Sequence, residues 1–336
     1  MTPRPSHLVG PLLRYARERE ISLELDRYGL GDDAFARDES PIADAALGRL
    51  FDDLAVALDE TNLGLMLPGR LRFERYAIPE LAARASATLR QSMQQWTRYS
   101  TLVHPAVEFA FEESGGVARF SHRTAGHPRG LSRHLNEFAL AAAVHFSRET
   151  SGVGPRLLEV HFVHARPRAL EPLRAFFKTD ILHFGALSNT LVIDSASLDR
   201  PQLTADARLL ATIAALGESA LAERPPHSET LHARVATLLR AQLEQGEVRI
   251  RPLARALHMS VRTLQRRLEE EGTSFAALVD EVRHELSCRL VRRADLSLVE
   301  VAAKLGFAEF STFSRAFKRW TGVAPGAYRN QAPHED

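Results

Sequence analysis

The sequence predicts an α+β N-terminal domain followed by an all-α C-terminal domain of two helix-turn-helix units. Three observations predict this division. Up to about residue 222 the apolar residues recur first at helical spacing and later in short alternating runs. From Leu253 to Arg329 the pattern is helical and repeats weakly: Ala254 and Ala302 are 48 positions apart, Leu264 and Phe313 are 49 apart, and Gly272 and Gly322 are 50 apart. Charge is divided as well. The 336 residues hold 43 Lys and Arg against 42 Asp and Glu, yet residues 230–336 carry a net +4 and the preceding 229 residues a net −3. A small basic part joined to a larger, mildly acidic one points towards a nucleic-acid-binding module.

In the N-terminal part, Leu47, Leu50, Leu54 and Leu58 fall at helical spacing, as do Leu81, Ala85, Leu89 and Met93. Val107–Phe111 and Val117–His122 flank Gly115-Gly116, the pattern of a hairpin. A helix is expected over Arg133–Arg148, strands over Leu157–Val163 and Thr190–Ile193, and a closing helix over Ala205–Ala222. Helices with a mostly antiparallel sheet make an α+β domain. Pro225-Pro226 ends the helical pattern and polar residues follow. The expected boundaries are therefore 1–222 for the first domain, 223–231 for a linker, 232–330 for the second domain and 331–336 for a disordered tail.

Each C-terminal repeat is a short helix, a tight turn, a second helix and a Gly. In the first, Leu253, Ala254 and Leu257 are expected to face inward, His258-Met259 to turn, and Ser260 to cap the next helix. That helix has an apolar stripe of Val261, Leu264 and Leu268. Arg262, Gln265 and Arg266 gather on another face, at i, i+3 and i+4. Arg and Gln can make bidentate contacts to guanine and adenine edges, so this face suits a major groove, although a solvated basic face has the same pattern. In the second repeat, Ser297-Leu-Val-Glu300 is a capping box and Gly306 supplies the turn. Phe310, Phe313, Phe317 and Trp320 are expected to form the apolar stripe of the following helix. Ser311, Thr312, Ser314, Arg315, Lys318 and Arg319 supply its polar surface, with Lys318 and Arg319 suited to phosphates.

Composition excludes several classes. A net charge of +1 excludes a uniformly polybasic protein, and one Cys excludes a disulfide framework and any Cys-rich metal site, so a reducing cytoplasm is expected. The longest apolar run, Phe138–Phe146, is broken by His145, so neither a secretory signal nor a membrane span is expected. Among the 14 His, His161 and His164 sit at i and i+3 of an expected strand and should point to opposite faces; His122 and His127 straddle a loop. No metal and no cofactor is expected. Trp96, Tyr99 and Cys288 are expected to pack in cores.

The run Gly306-Phe307, Ser311, Phe313, Arg315, Phe317-Lys318-Arg319, Gly322, Pro325 and Tyr328-Arg329 resembles the signature of the AraC/XylS family of bacterial transcription regulators. The resemblance covers roughly 232–330. It implies two helix-turn-helix units joined by a long helix, here about Phe275–Arg293, with recognition helices entering two successive major grooves of double-stranded DNA. It places the base-facing positions on Arg262, Thr263, Gln265 and Arg266, and on Phe310, Ser311, Thr312 and Arg315. This chain departs from the family in having His258 where Gly is frequent.

Residues from about 20 to 205 resemble the effector-binding domain of an AraC subgroup that includes ornithine-utilisation regulators. The similar stretches are Leu63-Gly-Leu65, Thr88–Tyr99, Val160–His164 and Leu182–Gly185. The resemblance implies a sequence-specific transcription factor with a small-molecule effector, RNA polymerase as a partner and a homodimer, and no catalysis. Two other readings stay open at this level: an enzyme domain fused to a DNA-binding module, and a dimeric regulator that needs no ligand. The chain has no nucleophile elbow, Walker loop or Gly-x-Gly-x-x-Gly.

Overall fold

The computed structural model describes residues 4–37, 40–71, 77–103, 107–124, 127, 129–223, 231–244, 248–270 and 273–330. Gly272, the interior of the expected linker 223–231 and the expected tail 331–336 lie outside them. Two compact units emerge: residues 2–183 with 188–226, and residues 227–336 with 184–187.

In the first unit, β1 (Arg4–Ser6) pairs antiparallel with β2 (Ser40–Ile42), and α1 (Val9–Arg17) lies between them in the chain. α2 (Asp44–Ala57) buries Leu50 and Leu54 of the expected leucine stripe, together with Ala46, Phe51 and Ala55, while Leu47 and the C-cap residue Leu58 are half-buried. The short α3 (Leu63–Met66) follows. The spacing from Leu81 to Met93 does not form one helix. It divides into α4 (Ile78–Ala85) and α5 (Leu89–Tyr99), because Ser86 turns to extended backbone at ψ 146° and Thr88 caps α5 by accepting from the Gln91 amide. The buried Gln202 side chain donates to the Ala83 and Ser86 carbonyls at 2.8 and 2.9 Å, filling needs that a helix end leaves open.

β3 (Val107–Ser114) and β4 (Val117–Thr124) form the expected hairpin, with Gly115 and Gly116 at φ 58° and 78°. Then come α6 (Arg133–Ser151), β5 (Leu157–Phe162), α7 (Glu171–Phe177), β6 (Leu182–Phe184), β7 (Asn189–Asp194) and α8 (Ala207–Glu223). The five-stranded sheet has the order β3-β4-β7-β5-β6, and the pairs β3–β4, β4–β7 and β5–β7 are antiparallel. α6 packs on this sheet and on α3. A Cβ at Gly64 would stand 2.3 Å from the His134 carbonyl oxygen, so glycine alone allows that approach.

Two buried amides tie α6 to the sheet. The Asn189 side chain donates to Asn136 at 3.2 Å and accepts from the Val163 amide at 3.1 Å. Beside them Glu137 is fully buried and accepts from Arg133 at 2.7 Å, with His164 3.7 Å away. Burial pushes the His164 imidazole down to about 4 and pushes the Glu137 carboxyl up.

From Leu231 onward the regular structure of the second unit is helical among its described residues: α9 (Leu231–Glu244), α10 (Ile250–Ala256), α11 (Val261–Glu270), α12 (Phe275–Arg292), α13 (Leu298–Lys304), α14 (Phe310–Thr321) and α15 (Pro325–Asn330). One apolar core gathers them. α12 supplies Leu278, Val279, Val282, Leu286, Cys288 and Val291 to it. α9 adds Val235, Leu239 and Leu243. The Arg283 guanidinium of α12 donates to the Leu305 and Gly306 carbonyls at 3.0 and 3.2 Å and lies over the Phe307 ring. Arg329 of α15 donates to the Val291 carbonyl at the C-terminal end of α12 and to the Leu296 carbonyl in the connection that follows, at 2.7 and 2.9 Å. Cys288 is buried and its thiol is pushed up to about 11, in keeping with a packing role.

Two expected outcomes follow from this packing. Turn residue Gly306 has φ 71° and His258 has φ 55°, so Gly306→Ala should cost about 1 kcal/mol, whereas His258→Gly should gain up to about 1 kcal/mol. Shifts of the urea midpoint at constant slope measure both. His164, neutral in the fold and depressed to about 4, contributes stability above its unfolded value near 6.5 that is lost as pH falls from 6.5 towards 4. The raised Glu137 acts in the opposite sense. The thermal midpoint should therefore drop less on acidification in His164→Gln than in the wild type.

Candidate nucleic-acid interface and ligand cavity

α11 begins at a turn in which the Met259 amide donates to the Ala254 carbonyl at 2.9 Å and His258 takes the left-handed backbone. Ser260 caps the helix by accepting from the Thr263 amide at 3.1 Å, and its hydroxyl also meets that of Thr263 at 2.8 Å. Leu264 and Leu268 are fully buried, so the helix has a fixed inner face. Arg262, Gln265 and Arg266 are exposed on the outside, while Thr263 is half-buried. Arg262 and Gln265 make no side-chain hydrogen bond or ion pair among the described residues; Arg266 pairs with Glu270 one turn on.

α13 starts in a complete capping box of Ser297 and Glu300. After the Gly306 turn, α14 buries Phe313, Phe317 and Trp320. Phe310 corrects the expected stripe. It is 39% exposed at the first position of α14, on the stripe's side of the helix but beyond the end of the core. There it keeps ring contact with Phe313 at 6.1 Å and stands beside exposed Ser311 and Thr312. Ser311 donates to Glu309 at 3.0 Å. Arg315 and Lys318 are exposed and have no ion pair among the described residues. Arg319 is engaged differently: it holds Asp280 of α12 at 2.7 Å.

The first unit holds a partly open cavity of about 700 Å³. Alternate residues of the hairpin, Val107 and Phe109 on β3 and Phe120, His122 and Thr124 on β4, share the face that lines it. α6 closes it with Leu135, Phe138, Ala142 and Phe146, and α5 with Met93 and Trp96. Phe109 stands at the centre of an aromatic wall, its ring 6.0 Å from Trp96, 5.9 Å from Phe120 and 5.5 Å from His122. Asp44, Asn136 and Ser92 bring polar groups to the same space. Glu80 and Glu149 also line it, with Arg84 donating to them at 3.2 and 2.9 Å. Burial raises the Glu80 carboxyl, and the Arg84 charge opposes that rise.

Residues 23–202 match the arabinose-binding domain of AraC transcription regulators, and residues 253–331 match a helix-turn-helix domain. The chain belongs to the AraC family of transcription regulators. This AraC-type regulator is 30% identical over 353 residues to an ornithine utilization regulator from Pseudomonas aeruginosa, covering 98% of this chain and 99% of that one. It is 28% identical over 308 residues to an uncharacterised HTH-type transcriptional regulator of Mycobacterium tuberculosis, covering 85% of each. The crystal structure of transcriptional regulator CdpR from Pseudomonas aeruginosa aligns with 97% of this chain and 98% of its own at 22% identity and TM-score 0.48. The protein is thus a transcription regulator with an N-terminal effector-binding domain and a helix-turn-helix DNA-binding domain. Among its described residues no helix is long and apolar enough to cross a membrane.

No local spacing in this AraC-type regulator marks an effector site, and the helical pattern around Trp96 predicts a core position for it. Trp96 is half-buried and lines the cavity, because its helix packs against β3 and its ring meets Phe109 across that contact. Tyr99, three residues on, is buried as expected and donates to Glu218 of α8 at 2.9 Å. The alternating apolar residues of the hairpin are the one signal that could have indicated a lined face. The chain has two Trp, and Trp320 lies in the other unit. An effector in the cavity should therefore change emission in Trp320→Phe and leave it unchanged in Trp96→Phe. Loss of the signal from Trp320→Phe would place the ligand elsewhere.

Proposed function

We propose that this AraC-type regulator reads double-stranded DNA with two helix-turn-helix units, α10–α11 and α13–α14, whose second helices enter successive major grooves on one DNA face. The observation that carries the reading is shared by α11 and α14. Each follows a turn with a left-handed residue, seats its apolar side in one common core, and presents exposed polar residues outward. Base edges are read by Arg262, Thr263, Gln265 and Arg266 on α11, and by Phe310, Ser311, Thr312 and Arg315 on α14. Lys318 meets phosphate. Arg319 does so only by exchanging its Asp280 contact, so it contributes less.

Residues 1–222 act as the effector-binding and dimerisation domain and 232–330 as the DNA-binding domain, in a cytoplasmic homodimer that contacts RNA polymerase. The cavity of about 700 Å³ supports control by a small molecule and argues against a domain that serves dimerisation alone. Its mostly apolar walls favour an effector with an apolar body and a hydrogen-bonding end. The acidic pair Glu80 and Glu149 is bridged by Arg84, so it does not offer two free carboxylates to a diamine.

Footprinting and titration on the promoter beside the gene test the DNA half. Arg266→Ala and Arg315→Ala should each weaken operator binding by about 1–3 kcal/mol and relax base preference at one position. Lys318→Ala should weaken all sequences alike and reduce the salt slope by about 1. Unchanged affinity and base preference in both Arg variants would refute the assigned faces.

A further inference from the structure

We propose that Glu159, His161 and His183 form a binding site for a divalent transition-metal ion. Glu159 and His161 lie two apart on β5, so both project from one face of the sheet. Val160 and Phe162 alternate with them and are fully buried on the other face. His183 comes from β6, the edge strand next to β5, and the Val160 amide donates to the Ile181 carbonyl at 3.0 Å between the two segments. The pair weighed from sequence, His161 with His164, does not meet in this way; His164 is buried beside Glu137. The partner of His161 is supplied by a neighbouring strand 22 residues further along the chain.

Both imidazoles converge on one carboxylate oxygen. Glu159 Oε2 lies 2.8 Å from His161 Nε2 and 3.3 Å from His183 Nε2, and the ring centroids are 4.6 Å apart. All three ligand atoms lie within 4.8 Å of one another. An ion about 2.0–2.2 Å from each atom fits that triangle after small side-chain rotations. Two imidazoles and one carboxylate suit Zn²⁺, Co²⁺ or Ni²⁺, whereas Mg²⁺ and Ca²⁺ need more oxygen ligands. The side chains are 31%, 23% and 39% exposed, in the order Glu159, His161, His183, so an ion can enter and water can complete its coordination. Arg119 occupies the same cross-strand row as Glu159, through Val192, and its charge opposes a cation there. The site is therefore exchangeable rather than permanently filled, and a bound ion ties the edge strand β6 to β5.

The test uses the full-length protein stripped of metal, titrated calorimetrically with Zn²⁺ and, separately, with Mg²⁺. Wild type should take up one more Zn²⁺ than the double variant His161→Ala/His183→Ala and should not take up Mg²⁺. Glu159→Gln should weaken Zn²⁺ binding by about tenfold or more. Zn²⁺ should raise the thermal midpoint of the wild type but not of the double variant. Should the alanine variants unfold, His161→Gln/His183→Gln makes the same comparison. Co²⁺ gives a direct readout on the wild type, through visible absorption bands of nitrogen- and oxygen-ligated metal. Equal Zn²⁺ stoichiometry and affinity in wild type and double variant would overturn the proposal, as would no Zn²⁺ uptake at about 100 µM. Comparable uptake of Mg²⁺ would overturn the assigned ion class.

Discussion

The C-terminal unit depends on the burial of α12. Along its 18 residues, eight side chains are buried, and α9, α13, α14 and α15 pack against them. Each fully buried Leu or Val there contributes about 1.5–3 kcal/mol relative to exposure, so the helix is held by many small terms rather than one. Two arginines then fasten the backbone. Arg283 holds the turn between α13 and α14 by its carbonyls, and Arg329 holds one carbonyl at the end of α12 and one in the connection to α13. A guanidinium has several donors in a fixed plane, which lets one side chain satisfy two carbonyls at or just beyond a helix end. The outward faces of α11 and α14 therefore stand on one packed core and not on loops.

In the other unit, α6 has two tasks that compete for its surface. Part of it must pack on the sheet, and part must leave a cavity open. The contact between Asn136 and Asn189 reconciles them, because buried amides are satisfied in only one arrangement and so specify where the helix sits. Phe146 can then line the cavity, as does the edge of Phe138, which packs on Phe51, while Leu140 and Val144 stay buried. On the opposite wall the hairpin provides Phe109, Phe120 and His122, rigid rings that lose little freedom when a ligand arrives. A ligand shifts a regulator only by its differential affinity for two states. An aromatic wall shared by α5 and the hairpin is well placed to sense a change in that packing.

Features governed by nearest neighbours in the chain were legible from the sequence. The leucine spacing marks α2, Gly115-Gly116 marks the hairpin, and Ser297 with Glu300 marks the start of α13, because each depends on residues within a turn or two. Where distant residues intervene, the same reasoning failed. The break between α4 and α5 is stabilised by Gln202, more than a hundred positions away. Phe310 follows the stripe of α14 by spacing, yet it sits at the helix start, beyond the reach of the core. Trp96 reads as a core residue until β3 is placed opposite it.

The sequence by itself determined the family, the helical repeat, the caps and most of the polar residues exposed on α11 and α14. Those follow from periodicity and from side-chain chemistry at short range. Only the tertiary structure decided that Trp96, Phe109 and His122 surround a cavity, that Arg319 is held by Asp280, and that His161 meets His183 rather than His164. Each of these is a meeting of segments far apart in the chain. Such meetings are set by how the sheet orders its strands and how helices pack on it, and local spacing carries no record of either.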